Sequence, residues 1–434
     1  MTTNGSNFFL LFDDRPVARI APADNALDID FEYLPSWIEN GFPIAPSLPF
    51  GSIPRGAAFA FLENMLPEGK AFERLVAYKS LSRNNVLGLA LAIRNDLSGA
   101  LSLSSSAQKE TIEDSFRPID EAEIIDRLEK PETNPMDIWD NRPRLSVAGV
   151  QTKLNVLKRN DTYGLVDGSR LCSDRILKFE SPSQRHILLN EFLTMTLAKS
   201  LPHEVAECRL IRFGSFRALE IQRFDRRVKD PTRVLRRHVI DACQALGVPS
   251  TMKYERNFGD GKDVAHIRDG VSFKRLFSLV NFMVEPRPVT ENFFDWLIFN
   301  LIVGNSDAHG KNFSFFAGSK GLQPTPWYDL ISVLLVEGIE HSLAMSVGDE
   351  FNPNEVHALQ LLYEADEVGL SKAFVQDRLN RVLDCLDTAL NNFVSPEDLS
   401  VDEKAFVTRY LGFINERVLR WRNEAAILEE LTEI

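Results

Sequence analysis

Short apolar runs in Asn7–Phe12 and Val17–Ile20, on either side of Asp13-Asp14-Arg15-Pro16, predict a β-hairpin. Apolar residues at helical spacing then predict helices over Phe59–Leu66, Lys70–Tyr78 and Asn84–Ile93. Pro67 and Gly69 separate the first two, because proline lacks the donor a helix interior needs and glycine suits a helix end. The third helix leads into Gly99-Ala100-Leu101-Ser102-Leu103, so residues 1–105 are expected to form a small α/β unit. Residues 106–143 are acidic and end in a proline-bearing stretch from Pro131 to Pro143, which reads as a linker preceded by a short helix.

Short strand patterns follow at Lys153–Leu157, Arg175–Phe179, Arg209–Phe213 and Ala218–Phe224. One helix interrupts them at about 182–201, with Ser181 placed to cap it and Pro182 at its first position. Beyond residue 238 the pattern turns helical. Phe374, Leu379, Val382, Leu383, Leu386 and Leu390 share one helical face, as do Phe406, Tyr410, Phe413 and Ile414. A β-rich stretch over 144–237 followed by an all-helical 238–434 predicts an α+β protein of two lobes with a cleft between them.

The chain has 434 residues and is 44% hydrophobic, ample for a core of two or three domains. Its formal charge of −13 argues against a broad nucleic-acid-binding surface, though not against a local basic patch. Cys172, Cys208, Cys243 and Cys385 lie far apart without metal-binding spacing, as expected of reduced cysteines in a cytoplasmic protein. Met1–Ser6 has neither a charged nor an apolar leader region, and no apolar run reaches the ~18 residues of a membrane span.

The candidate chemistry is concentrated in Gly304-Asn305-Ser306-Asp307-Ala308-His309-Gly310-Lys311-Asn312-Phe313-Ser314, directly after the apolar run Phe293–Val303. Asp307 and Asn312 are five residues apart, and Asp329 follows seventeen residues later within Trp327-Tyr328-Asp329. Phosphoryl transfer uses this order: a carboxylate for the substrate hydroxyl proton, an amide oxygen for magnesium, and a second carboxylate for magnesium. A solvated Asn/Asp turn has the same spacing.

Other features come in the order of a kinase. Ser146-Val147-Ala148-Gly149-Val150-Gln151-Thr152-Lys153 offers small residues and a cation to phosphate, or is a plain hairpin turn. Lys178, in an apolar strand, pairs with Glu191 of the next helix or is an edge lysine reaching for solvent. Gln222-Arg223-Phe224 ends a strand that can offer backbone groups and an aromatic ring to adenine, or is ordinary core. Arg223, Arg226, Arg227, Lys229, Arg233, Arg236 and Arg237 form a basic hairpin, either a solvated face or a patch for an acidic partner.

Taken together, Ser146–Lys153, Leu177-Lys178, Asn190-Glu191, Gln222–Asp225, Cys243–Gly247, Asn305–Ser314 and Tyr328–Ser332 resemble the HipA family of bacterial serine/threonine kinases, the toxins of type II toxin–antitoxin pairs. Phe61–Gly69 and Gly99–Leu101 resemble the family's N-terminal region, so the likeness spans nearly the whole chain. The resemblance implies a protein-kinase-like fold using ATP and Mg2+. Asp307 would be the proton acceptor, and Asn312 and Asp329 the metal ligands. Lys178, with Glu191, would hold phosphate, Ala148, Gly149, Val150, Gln151, Thr152 and Lys153 would form the phosphate loop, and Gln222, Arg223 and Phe224 the hinge. His309, Gly310, Lys311, Asn312 and Tyr328 would line the nucleotide.

The resemblance also implies autophosphorylation at Ser146 with loss of activity, and a substrate among translation components such as an aminoacyl-tRNA synthetase. The partner would be a helix-turn-helix antitoxin, with operator DNA reached mainly through it. Lys372, Arg378 and Arg381, on one helix, are either candidates for DNA contact or ordinary surface charges. Gln222 departs from the family, in which glutamate is frequent at that position. Two competing readings are a small-molecule phosphotransferase, which shares the Asp–Asn–Asp order, and a catalytically silent corepressor.

Overall fold

The computed structural model describes residues 8–25, 28–93, 97–108, 111–140, 142–144, 151–181 and 184–431. The chain divides into two compact units, Met1–Ser181 with Glu207–Ser250 and Ser314–Thr325, and Pro182–Ala206 with Thr251–Phe313 and Pro326–Ile434.

The first unit is strand-rich. Its N-terminal hairpin belongs to a four-stranded antiparallel sheet in the order Ile29–Tyr33, Arg15–Pro22, Phe8–Phe12, Leu101–Ser104. The turn is tighter than expected, since Arg15 and Pro16 lie in the second strand and Asp13 turns the chain at φ 53°. Aspartate tolerates that left-handed conformation. Helices Ala57–Glu63, Gly69–Lys79 and Val86–Ile93 lie close to the predicted spans.

A six-stranded antiparallel sheet has the order Cys208–Phe213, Phe216–Gln222, Arg175–Phe179, Lys153–Arg159, Thr162–Asp167, Ser115–Pro118. The acidic stretch read as a linker is part of this layer. Ser115–Pro118 is its edge strand, and helix Glu121–Glu129 lays Ile124 on Leu154, Val156, Leu177 and Phe179. Trp139, buried in the same core, gives its indole N–H to the Met136 carbonyl at 2.7 Å and lies under the Arg127 guanidinium. The carboxylates that make this segment acidic occupy the outer face of an amphipathic element, so overall charge concealed its core-facing side.

The N-terminal sequence motif docks within the same unit. Asp241 and Gln244 form a capping box at the start of helix Ala242–Leu246, and Gln244 Nε2 also donates to the Phe61 carbonyl at 3.0 Å. Asn64 Nδ2 donates to the Val248 carbonyl, and the Ser250 amide donates to Glu63. Val239–Asp241, Ser314–Gly318 and Gly321–Pro324 form a further three-stranded sheet, so strands persist beyond residue 238, where only helices were expected.

The basic hairpin Arg226–Asp230/Arg233–Arg236 is not wholly a charged face. Arg223 and Arg226 are buried on Asp225, with Arg223 Nε 3.0 Å and Arg226 Nη1 2.6 Å from its oxygens. Arg226 and Arg236 also donate to the Gly99 carbonyl, and the Gly99 amide donates to Asp225 at 2.9 Å. Burial alone would raise the Asp225 carboxyl. The two guanidinia and the amide more than reverse this, holding it well below the usual carboxylate range.

The second unit is helical, with Ile187–Ala198, Phe273–Ser278, Pro286–Val303, Ala358–Glu367, Lys372–Asn391 and Val401–Glu430. The first of these starts later than predicted. It is entered through His186 at φ 65°, which stacks on Phe406, while Pro182 lies outside the described residues. The long helix Pro286–Val303 is buried over most of its length and carries Asp295, 1% exposed. Asp295 is bound by Arg378 Nε at 2.7 Å and by His203 Nε2 at 2.6 Å. Arg378 is therefore an interior ion-pair partner and unavailable to DNA. Lys372 donates to the Glu429 carbonyl, and Arg381 pairs with Asp377. Among the described residues no helix is long and apolar enough to cross a membrane.

Asp225→Asn keeps the shape but removes the charge that two buried guanidinia face, and should cost about 3–5 kcal/mol in urea unfolding near neutral pH. Because the native carboxyl is depressed, its contribution is present above the unfolded carboxylate range of about 4 and is lost as pH falls below it. The variant should lack that acid-side loss. Equal midpoints for both proteins at neutral pH would contradict the ion-pair account.

Candidate active site

The loop carrying Asp307 is fixed by the way its helix ends. Pro286–Val303 stops at Gly304, φ 71°, and its last four carbonyls all find donors. Gly304 and Asn305 amides donate to Asn300 O, and Arg417 donates to Leu301 O at 2.6 Å and Ile302 O at 2.8 Å. Ser332 Oγ donates to Val303 O at 2.6 Å. Burial, with Arg420 nearby, pulls Arg417 down to about 10, so it remains a cation at the negative end of the helix at neutral pH.

Beyond Gly304 the side chains continue the chain of bonds. Asn305 Nδ2 donates to Asn300 Oδ1 at 2.7 Å, and its own Oδ1 receives the Asp307 amide. The Asp307 carbonyl accepts the His309 amide at 2.9 Å and Asn312 Nδ2 at 3.3 Å, closing a tight turn. That bond commits the amide nitrogen of Asn312 and leaves its oxygen as the acceptor. The Lys311 amide donates to His309 Nδ1, which puts the proton of the neutral ring on Nε2. Asp307 is exposed, whereas His309, Lys311 and Asn312 are each 7% exposed. Tyr328 gives its hydroxyl to the Lys311 carbonyl at 2.6 Å, so it braces the loop.

Asp329 adopts φ 56°, a strained conformation of the kind stored at functional positions. The segment after it is clamped by Asn190, whose Nδ2 donates to Ser332 O at 2.9 Å and whose Oδ1 accepts Ser332 N at 2.8 Å. Ser332 thus ties the Asp329 segment both to the helix Ile187–Ala198 and to the end of Pro286–Val303. Glu191, next to Asn190, is 2% exposed.

In the first unit, register places Lys178 directly opposite Lys153 on neighbouring antiparallel strands, hence on one face of the sheet, and both are 8% exposed. The Phe179 amide donates to the Thr152 carbonyl, Thr152 is exposed, and Gln151 Nε2 is buried without a hydrogen-bond partner. Ser146, Ala148, Gly149 and Val150 lie outside the described residues. In the expected hinge, Gln222 is exposed and Phe224 packs edge-on against Phe316. The side chain of Arg223 is turned into the core toward Asp225 and Ser173, and its amide is bonded to Asp174 O.

One residue at the site has no sequence signal. The Tyr254 hydroxyl donates to Asp307 Oδ1 at 2.8 Å, although the two residues lie far apart in sequence. Asn190 and Ser332, in contrast, stand inside motifs already marked.

Known proteins resemble this chain over most of its length. A family model described as the HipA-like C-terminal domain matches residues 145–390, and one described as the HipA N-terminal domain matches 10–104. The serine/threonine-protein kinase toxin HipA of Shewanella oneidensis is 42% identical over 398 residues, covering 88% of this chain and 91% of that protein. A solved complex of the Shewanella oneidensis MR-1 toxin HipA with HipB and operator DNA superposes with a TM-score of 0.86 at 38% identity, covering 98% of this chain and all of that one. The α+β, kinase-like fold class expected from the sequence therefore holds.

Asn190→Ala should orphan the buried N–H of Ser332, at about 1–3 kcal/mol, while its C=O keeps the Leu335 amide. Amide exchange over residues 331–334, followed by mass spectrometry, should accelerate well before global unfolding. Unchanged exchange there would show that the clamp does not hold the Asp329 segment.

Proposed function

The chain belongs to the HipA family, and on that premise we propose that it is an ATP- and magnesium-dependent serine/threonine protein kinase, the toxin of a toxin–antitoxin pair. The observation that carries this reading is the closed turn in which the Asp307 carbonyl holds the Asn312 amide nitrogen, so that an exposed carboxylate and a directed amide oxygen leave one loop together. Corepression alone has no use for such a turn. The N-terminal region shared with the family favours a protein kinase over a small-molecule phosphotransferase.

In this reading Asp307 accepts the proton of the substrate serine or threonine as that oxygen attacks the terminal phosphorus. Lys153 and Lys178 neutralise nucleotide phosphate, with Glu191 as the counterpart of Lys178. Gln151, Thr152 and the preceding residues 148–150 form the phosphate loop, Gln222 and Phe224 meet the base, and His309, Gly310 and Lys311 line the nucleotide. Asn312 and Asp329 hold magnesium. Among the described residues no group of three or more His, Cys, Asp or Glu side chains is placed for a metal. One amide oxygen and one carboxylate nevertheless suit magnesium, which keeps water and phosphate oxygens as its other ligands. When bound, it neutralises charge developing on the transferred phosphoryl group.

The partner is a helix-turn-helix antitoxin, through which the acidic chain reaches operator DNA. The substrate class is a translation component such as an aminoacyl-tRNA synthetase, the setting is cytoplasmic, and phosphorylation of Ser146 ends activity by expelling the phosphate loop. A phosphoserine adds about −1.5 to −2 charges, which nucleotide phosphate would repel.

Asp307→Ala should lower phosphotransfer from radiolabelled ATP by ~10²–10⁴-fold while leaving ATP binding largely intact; wild-type turnover in the variant would sink the assignment. Asp329→Asn should weaken the magnesium-dependent part of ATP binding in calorimetric titration, and a full magnesium effect would make Asp329 structural only. Mass spectrometry after incubation with ATP should find phosphate on Ser146 in the wild type and none in Asp307→Asn.

A further inference from the structure

We propose that Tyr254 is the positioning residue of the proton acceptor. Its hydroxyl holds Oδ1 of Asp307 so that Oδ2 is presented to the acceptor hydroxyl. This inference rests on the kinase reading of Asp307 and adds a group that neither the motifs nor the spacing of the chain identifies.

The contact is a built one. Main-chain bonds tie both neighbours of Tyr254 to the Asp307 loop, one directly and one through Ala344. The Gly310 amide donates to the Lys253 carbonyl at 2.9 Å. On the other side, the Glu255 amide donates to the Ala344 carbonyl at 2.9 Å, and the Ala344 amide donates to the Ser306 carbonyl at 2.8 Å. Tyr254 and Asp307 thus face each other inside a closed backbone frame, with the hydroxyl to Oδ1 distance of 2.8 Å bridging it.

The frame is anchored away from solvent. Glu255 is 2% exposed, takes Arg268 Nε at 2.7 Å on one oxygen and receives the Ser346 amide at 2.7 Å on the other. The Gly270 amide donates to the Glu255 carbonyl at 3.1 Å, and a Cβ at Gly270 would lie 1.8 Å from the Tyr254 carbonyl oxygen. Only glycine allows that approach, so the backbone of Tyr254 is fixed from behind. The ring stands perpendicular to His309, centroids 5.1 Å apart, and the Lys253 ammonium lies 5.4 Å from its centre. His309 and Lys253 are the ionisable groups beside the pair.

The consequence is chemical. A tyrosine hydroxyl can donate to a carboxylate oxygen while keeping its own proton. As the substrate oxygen bonds to the terminal phosphorus, the bond from phosphorus to the bridging oxygen breaks and ADP leaves. The substrate proton passes to Oδ2, and Tyr254 stays protonated throughout. Without the hydroxyl, Asp307 can rotate about its side chain and no longer presents Oδ2.

The test is Tyr254→Phe, which keeps the ring and its contacts and removes only the hydroxyl. In the full-length protein, kcat for phosphotransfer should fall about 10- to 100-fold, the range for a hydrogen bond to a charged group, with KM for ATP within about twofold. In an Asp307→Ala background the same change should lower the residual rate no further, whereas a purely structural loss would lower it again. A variant with wild-type kcat, or a full further loss in the Asp307→Ala background, would overturn the inference and leave the kinase reading standing. Absence of phosphotransfer in the wild type would overturn both.

Discussion

A buried helix that stops inside a protein leaves four carbonyls in need of donors, and the second unit is organised around satisfying them at the end of Pro286–Val303. The donors are Gly304, Asn305, Arg417 and Ser332. Each also does something else. Gly304 turns the chain, Asn305 orders the amide of Asp307, Arg417 ties in the last long helix, and Ser332 carries the strained Asp329 segment. The same bonds that close the helix therefore fix two of the three residues assigned to the chemistry relative to the scaffold. A loop held this way is rigid at its roots and open at Asp307, the combination a site needs when its acceptor is another protein.

Three interior carboxylates, one in the first unit and two in the second, are held in the same way. Asp225, Asp295 and Glu255 are nearly inaccessible, and each is bound by arginine: Arg223 and Arg226, Arg378, and Arg268. Arginine suits this work because its planar fork meets a carboxylate with two bonds and stays charged when buried. Arginines committed inside are lost to the surface of a chain whose formal charge is already −13. This accounts for why two residues of the apparent basic face, Arg223 and Arg226, and one that looked like a DNA contact, Arg378, turn out to be internal.

The sequence was most legible where one residue type serves one local geometry. Arg175–Phe179 lies on its predicted strand, and the apolar face of Lys372–Asn391 is the buried one. Asp307, Asn312 and Asp329 could be singled out because their spacing carries chemistry. Legibility failed where charge was counted without direction, as in the acidic segment that supplies Ile119, Ile124 and Trp139 to a core. It failed again where helix-start signals were read without the backbone that overrides them, at His186. Tyr254 was invisible for a different reason. Its role comes from a contact across more than fifty residues and a frame of main-chain bonds, and main-chain bonds leave no mark on side-chain identity.

The joining of the N-terminal sheet to Asp225, Arg226 and Gln244 has a consequence for synthesis. That sheet has its last strand once Ser104 is made, but its clamps follow about 120 residues later. At ribosomal rates of ~5–20 residues per second this is a delay of roughly 6–25 s. For that interval the nascent chain carries finished strands and their own helices without the clamps that hold them, a window in which a chaperone or a co-translated partner meets the chain before it is competent.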